Sequence, residues 1–128
     1  MGATTYDFIP NTEGKPYIEQ GATFDVTLAC KDESGNPVDL TSYTARMQVR
    51  ASKVATTVLL ELSTTNGRLV LGGPAGTIQI VLSATDTAAI TWRRGVYDLE
   101  LVSAGGTVTR LFQGTVEIDP EVTREEEQ

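Results

Sequence analysis

The sequence predicts an all-β fold, an antiparallel β-sandwich of immunoglobulin-like type with at most one short helical turn. Apolar residues recur with a period of two along several segments, while helical periodicity is nearly absent. Runs of turn-forming residues separate these segments at roughly ten-residue spacing, the rhythm of a sandwich or barrel. The chain has 128 residues, 40% of them apolar and 21% charged. That is enough for one domain with a core of its own.

The first clear strand is Phe24 to Cys30, where Phe24, Val26, Leu28 and Cys30 alternate with Asp25, Thr27 and Ala29. It ends in Asp32-Glu33-Ser34-Gly35-Asn36-Pro37, a concentrated run of turn formers. Val38 and Leu40 are then delivered to the core. Tyr43, Ala45, Met47 and Val49 alternate with Thr44, Arg46, Gln48 and Arg50, giving a second strand with a basic outer face. A loop over 51–56 leads to a third strand over 57–63, with Val58, Leu60 and Leu62 inward.

Asn66-Gly67 favours a tight hairpin, because both residues tolerate positive φ. A short strand over 68–71 and a glycine-rich turn over 72–76 precede a strand over 77–82, with Ile78, Ile80 and Leu82 on one face. Ser83 is placed to cap a single helical turn, with Asp86 three residues on. Gly95 to Val102 presents Tyr97, Leu99 and Leu101. Ser103-Ala104-Gly105-Gly106 turns the chain into a long strand over 107–118, with Gly114 expected at a bulge. The resulting organisation is an N-terminal arm over 1–20, a sandwich domain over 21–119 and an acidic tail over 120–128.

Composition narrows the chemistry. The chain contains no histidine, which removes the commonest general base and the commonest transition-metal ligand. Its single cysteine, Cys30, sits on the apolar side of a strand and reads as a buried thiol. Seventeen acidic against ten basic residues give a formal charge of −7, which opposes phosphate backbones and anionic lipid. No stretch approaches the roughly 18 apolar residues of a membrane span. The first residues lack the basic and apolar regions of a signal peptide, and Tyr6 stands where a myristoylation start wants Ser or Thr.

No catalytic, cofactor-binding or metal-binding residue is therefore expected, and no enzymatic activity. The glycine clusters join strands and lack the following helix of a phosphate loop. The carboxylates Asp32, Glu33, Asp39, Asp86, Asp98 and Glu100 form no pair that must converge, and their spacing is not that of a calcium-binding helical loop.

Two clusters are candidates for protein contact. Trp92, Arg93 and Arg94 form the one local basic and aromatic group, whose plainer reading is a loop with Trp92 capping the sandwich. Tyr6, Phe8 and Ile9 are apolar, yet 10–16 separates them from the sandwich by a stretch poor in core-forming residues. This predicts an arm that docks on a neighbouring subunit and whose removal leaves the domain folded. The competing reading makes this segment the first strand of the domain's own sheet.

Three stretches carry a resemblance. Ile18 to Phe24, Lys31-Asp32 through Gly35-Asn36-Pro37-Val38-Asp39-Leu40-Thr41, and Ala45 to Arg50 resemble the small β-domains of tailed-bacteriophage virions. Within that group they resemble the N-terminal domain of phage baseplate upper proteins. Tyr97 to Leu101 and Thr109 to Gly114 fit the same pattern, so the similarity spans roughly residues 17–119. Its motifs are turn-and-strand signatures.

The resemblance implies a non-enzymatic structural component of the virion: a tail, baseplate or fibre-attachment module, assembled in the host bacterial cytoplasm. It implies other virion proteins as partners and multiple copies in a symmetric assembly, with no nucleic acid and no membrane. Capsid decoration or a neck position is the alternative within the particle. A cellular carbohydrate- or protein-binding sandwich module is the alternative outside it.

Overall fold

Alternation of apolar and polar residues builds two facing sheets, and a computed structural model describes them over residues 3–10 and 14–123. The strands are β1 (Thr4–Thr5), β2 (Ile18–Glu19), β3 (Phe24–Ala29), β4 (Thr44–Arg50), β5 (Leu60–Ser63), β6 (Leu69–Leu71), β7 (Thr77–Leu82), β8 (Arg94–Val102) and β9 (Val108–Asp119). The larger sheet has the order β1-β9-β8-β4-β5, and β2 also pairs with β9. The smaller sheet has the order β3-β7-β6. This partition is that of an immunoglobulin-like sandwich. The acidic tail beyond Thr123 lies outside the described residues.

The core lies between the sheets. Phe24, Met47, Val49, Ile78, Ile80, Leu82, Tyr97, Leu99 and Leu101 are buried as their alternation requires, and Leu40, Ala45, Leu62 and Cys30 join them. Val26, Leu28 and Leu60 point the same way but remain partly exposed. Burial raises the Cys30 thiol above its ordinary pKa, in keeping with an inert structural cysteine.

Helix α1 (Ala84–Ala88) is the single predicted turn, and its cap forms as expected. The Ser83 hydroxyl accepts from the Asp86 amide at 3.0 Å, and the Asp86 carboxylate accepts from the Ser83 amide at 3.3 Å. A 3₁₀ turn over Gly73–Ala75 adds to it. Thr87 is fully buried and joins the helix to the chain before β3, donating to the Ala22 carbonyl at 2.9 Å and accepting from the Gly21 amide at 3.0 Å. No helix of the described residues is long and apolar enough to cross a membrane.

Arg68 reaches Asp86 at 3.0 Å, and its hydrogen bond is the main reason the Asp86 carboxyl is held below the usual range. A depressed carboxyl adds stability above its unfolded pKa, and that gain is lost as pH falls through the folded value. Asp86→Asn is therefore expected to cost about 1 kcal/mol near neutral pH, the usual worth of a cap residue with a partly exposed ion pair. The gap between thermal melts of wild type and variant should begin to close below roughly pH 4 and vanish once pH is under the lowered folded value. A gap that persists there would show that the ionised carboxylate is not responsible.

Four local expectations are corrected. The first concerns the N-terminal arm: Thr4–Thr5, Phe8 and Ile18–Glu19 belong to the domain's own sandwich. β1 and β2 add to β9 in parallel, with Thr4 opposite Phe112 and Ile18 opposite Ile118, and Phe8 bridges to Val116 between them. Phe8 is 2% exposed and Ile18 is 4% exposed. The sandwich thus begins within the first ten residues, not at residue 21, and the larger sheet is mixed.

The second correction is Asn66-Gly67, which makes no hairpin. β5 and β6 lie in different sheets, and the chain crosses between them here. Asn66 holds the crossing by accepting from the Ser63 and Arg68 amides at 2.9 and 3.0 Å, while Gly67 takes a φ of 80°. The third is the bulge in β9. Pairing shifts between Leu99–Phe112 and Glu100–Arg110, so Leu111 is the extra residue and Gly114 is not. The fourth is a strand start: β5 begins at Leu60, because 51–59 is loop.

Candidate functional site

The outer face of the larger sheet collects most of the charge that the strands carry. Period-two alternation points Arg46, Gln48 and Arg50 of β4 outward, together with Asp98 and Glu100 of β8. Register then decides which of them meet. Arg46 lies opposite Glu100, and Gln48 lies between Glu61 and Asp98. The bulge at Leu111 brings Arg110 opposite Glu100. One step in register would send these side chains into the core.

The contacts form a ladder across the strands. Arg46 Nε binds Glu100 Oε1 at 2.8 Å, and Arg110 Nε lies 3.5 Å from Asp98 Oδ2. Arg50 is held by Gln48 Oε1 at 2.8 Å and by the Ala55 carbonyl at 2.7 Å, which fastens the β4–β5 loop against the sheet edge. Together these residues line a shallow concavity of about 570 Å³, whose rim includes Ser52 and Lys53.

Four basic side chains (Arg46, Arg50, Lys53, Arg110) meet three acidic ones (Glu61, Asp98, Glu100) on this lining. The face is therefore close to neutral, with one excess positive charge, on a chain of net charge −7. Its guanidinium groups are fixed by neighbours yet keep water-facing donors, since the Arg46 and Arg110 side chains are 55% and 52% exposed. Such a surface suits polar docking of a protein. Among the described residues no group of three or more His, Cys, Asp or Glu comes together as a metal site would require.

The residues singled out from sequence lie elsewhere. Phe8 is in the core, its ring 5.0 Å from Tyr6, 5.4 Å from Tyr97 and 6.0 Å from Phe24. Tyr6 is half-buried, its ring stacked under Lys15 Nζ at 5.0 Å. Ile9 is also half-buried. The apolar surface of Phe8 and Tyr6 is thus spent within the domain. Trp92 packs against the core from the connection before β8, as the capping reading expected. Arg93 is exposed and its carbonyl accepts from the Ile118 amide at 2.9 Å. Arg94 pairs with Glu117 across β8 and β9. The two clusters flank β9 from opposite sides, Phe8 bridging to Val116 and Arg94 lying opposite Glu117.

Sequence reasoning found the basic face of β4 but missed that Asp98, Glu100 and Arg110 complete it. Nothing local marks them. The pairing of β4, β8 and β9 places them.

Comparison with known proteins adds little. No family model matches the chain, and no curated protein matches it. Among solved structures the chain is similar to Drosophila OTK, extracellular domains 3-5, at 16% identity and a TM-score of 0.33. The match covers 94% of this chain and 33% of that one, so this chain spans about a third of that structure's length.

Proposed function

We propose that the chain is a non-enzymatic structural component of a tailed-phage virion, and that it assembles through the outer face of its larger sheet. The observation that carries the assembly role is this face: a concave, near-neutral patch of cross-strand Arg–carboxylate pairs on an otherwise acidic domain. An acidic partner surface is the complement it fits best, because the excess charge here is positive where the rest of the molecule is negative. The virion placement rests on the resemblance over residues 17–119, with tail, baseplate or fibre attachment as the post.

A carbohydrate-binding role needs an exposed aromatic platform. All eight aromatic side chains of this chain are buried or half-buried. Catalysis has no support either, since a chain without histidine lacks the usual base.

The test is mass spectrometry of gradient-purified particles from the host that carries the gene, with the wild-type chain and with an Arg46→Glu, Arg110→Glu variant. Exposed pairs of this kind contribute about 0–1 kcal/mol, so the variant should melt within a few degrees of wild type. The wild type is expected in particles in many copies and the variant depleted at least tenfold. Absence of the wild type from particles would overturn the virion reading. Equal incorporation of the variant would overturn the face.

A further inference from the structure

The smaller sheet has an open edge that is built for pairing. β3 is paired with β7 along all six of its residues, from Phe24–Leu82 to Ala29–Thr77, and among the described residues no strand lies on its other side. Directions follow from one bond. The Cys30 amide donates to the Gly76 carbonyl at 2.7 Å, which makes residues 30 and 76 a hydrogen-bonded pair in the β3–β7 register. Alternation then turns the amides and carbonyls of the even residues toward β7. Those of Asp25, Thr27 and Ala29 point to the open edge. The next ladder agrees: the Val81 amide donates to the Arg68 carbonyl at 2.9 Å, so the odd residues of β7 face β6.

This edge carries little of the usual protection, its one charge being Asp25. Free edges are blunted by Pro, Lys, bulges or shortness. β3 has no Pro, no Lys and no register shift. The open edges β5 and β6 have four and three residues. Val26 and Leu28, moreover, face the core yet stay partly exposed. They lack a neighbour on the open side.

We propose that a second copy of this chain covers this edge, with the two β3 strands antiparallel about a twofold axis through Thr27. The strand is self-complementary in that register. Thr27 meets Thr27 of the second copy, and Asp25 meets Ala29, so every outward amide and carbonyl is paired. Centring on Asp25 would bring two carboxylates face to face. On the core side Val26 comes opposite Leu28 of the second copy, in the closer non-hydrogen-bonded spacing, and each covers the other. The result is a continuous six-stranded sheet. An edge of this length buries less than the roughly 1,000 Å² of a stable interface, so pairing strengthens with concentration and with multivalency in an array. It uses a different sheet from the polar face and stands whether or not the virion reading does.

Sedimentation velocity over a range of concentrations tests it. The wild-type chain should shift from monomer to dimer as concentration rises. Thr27→Pro removes an amide that points away from β7, so it leaves the β3–β7 bonds intact and should abolish the shift. Should the proline ring also lower the melting temperature, Thr27→Lys decides, because it places two like charges on the axis at an exposed position. At least a tenfold weaker dimer with unchanged melting is expected. A wild type that stays monomeric at every concentration overturns the proposal. So does a Thr27→Lys variant that dimerises like wild type, or a dimer lost instead in the Arg46→Glu, Arg110→Glu variant.

Discussion

Removing residues 1–16 is expected to unfold the isolated domain or to lower its melting temperature by well over 10 °C. Phe8 is the reason. Its ring touches Phe24 of the smaller sheet and Tyr97 of the larger one, so it joins the two layers from within. Truncating such a residue to Ala costs about 3–5 kcal/mol, and deletion adds the loss of the β1 ladder and of Tyr6 against Phe112. Domains of this size have about 5–15 kcal/mol in total, and about 1 kcal/mol corresponds to several degrees. Phe8→Ala alone should therefore lose at least 10 °C while remaining folded. Differential scanning calorimetry of both variants is the measurement. A truncated chain that melts like wild type would restore the detachable arm.

The error about this segment has a physical cause. Two-residue strands show no period-two pattern, and the β9 residues they pair with lie 100 or more positions away in the chain. Pro10 and Pro16, with few core-forming residues between them, read as a tether. The strands β3, β4, β7 and β8 were legible because each is long enough to alternate and borders a turn. The Ser83 cap was legible for a related reason: its signal spans only four residues. Asn66-Gly67 was half legible. Gly67 takes the positive φ and Asn66 does not, and a reversal between sheets uses that conformation as a hairpin does. The polar face depended on register, which the bulge at Leu111 sets and no local signal announces.

Gly114 shows how one sequence signal splits into two structures. Glycine within a strand marks either a bulge or a close approach by another segment, and here it is the approach. A Cβ at position 114 would stand 2.6 Å from Asp7 Oδ1 and 2.9 Å from the Tyr6 carbonyl carbon, and nearer still to the Tyr6 carbonyl oxygen. Backbone cannot yield as a flexible side chain does. Gly114→Ala is thus expected to lift residues 6–8 away from β9. That breaks the bonds from the Tyr6 amide to the Gln113 carbonyl and from the Phe8 amide to the Thr115 carbonyl, each 2.8 Å.

It also strands the Tyr97 hydroxyl, which donates to the Tyr6 carbonyl at 2.5 Å. That phenol is buried, and burial first and the Asp7 carboxylate second hold its pKa well above the ordinary value, so it stays a neutral donor with no water to turn to. An unsatisfied buried donor costs about 1–3 kcal/mol, and loss of Phe8 packing adds to it, so about 3–5 kcal/mol is expected in all. The decisive measurement is a double-mutant cycle with Phe8→Ala. Both changes act by undocking the same segment, so once one is made the other has little left to remove. The double variant should be no more than about 1 kcal/mol worse than the poorer single one, a coupling of several kcal/mol where independent sites add to within about 0.5 kcal/mol. Additive losses would mean that Gly114 is needed for β9 itself and not for the segment that runs beside it.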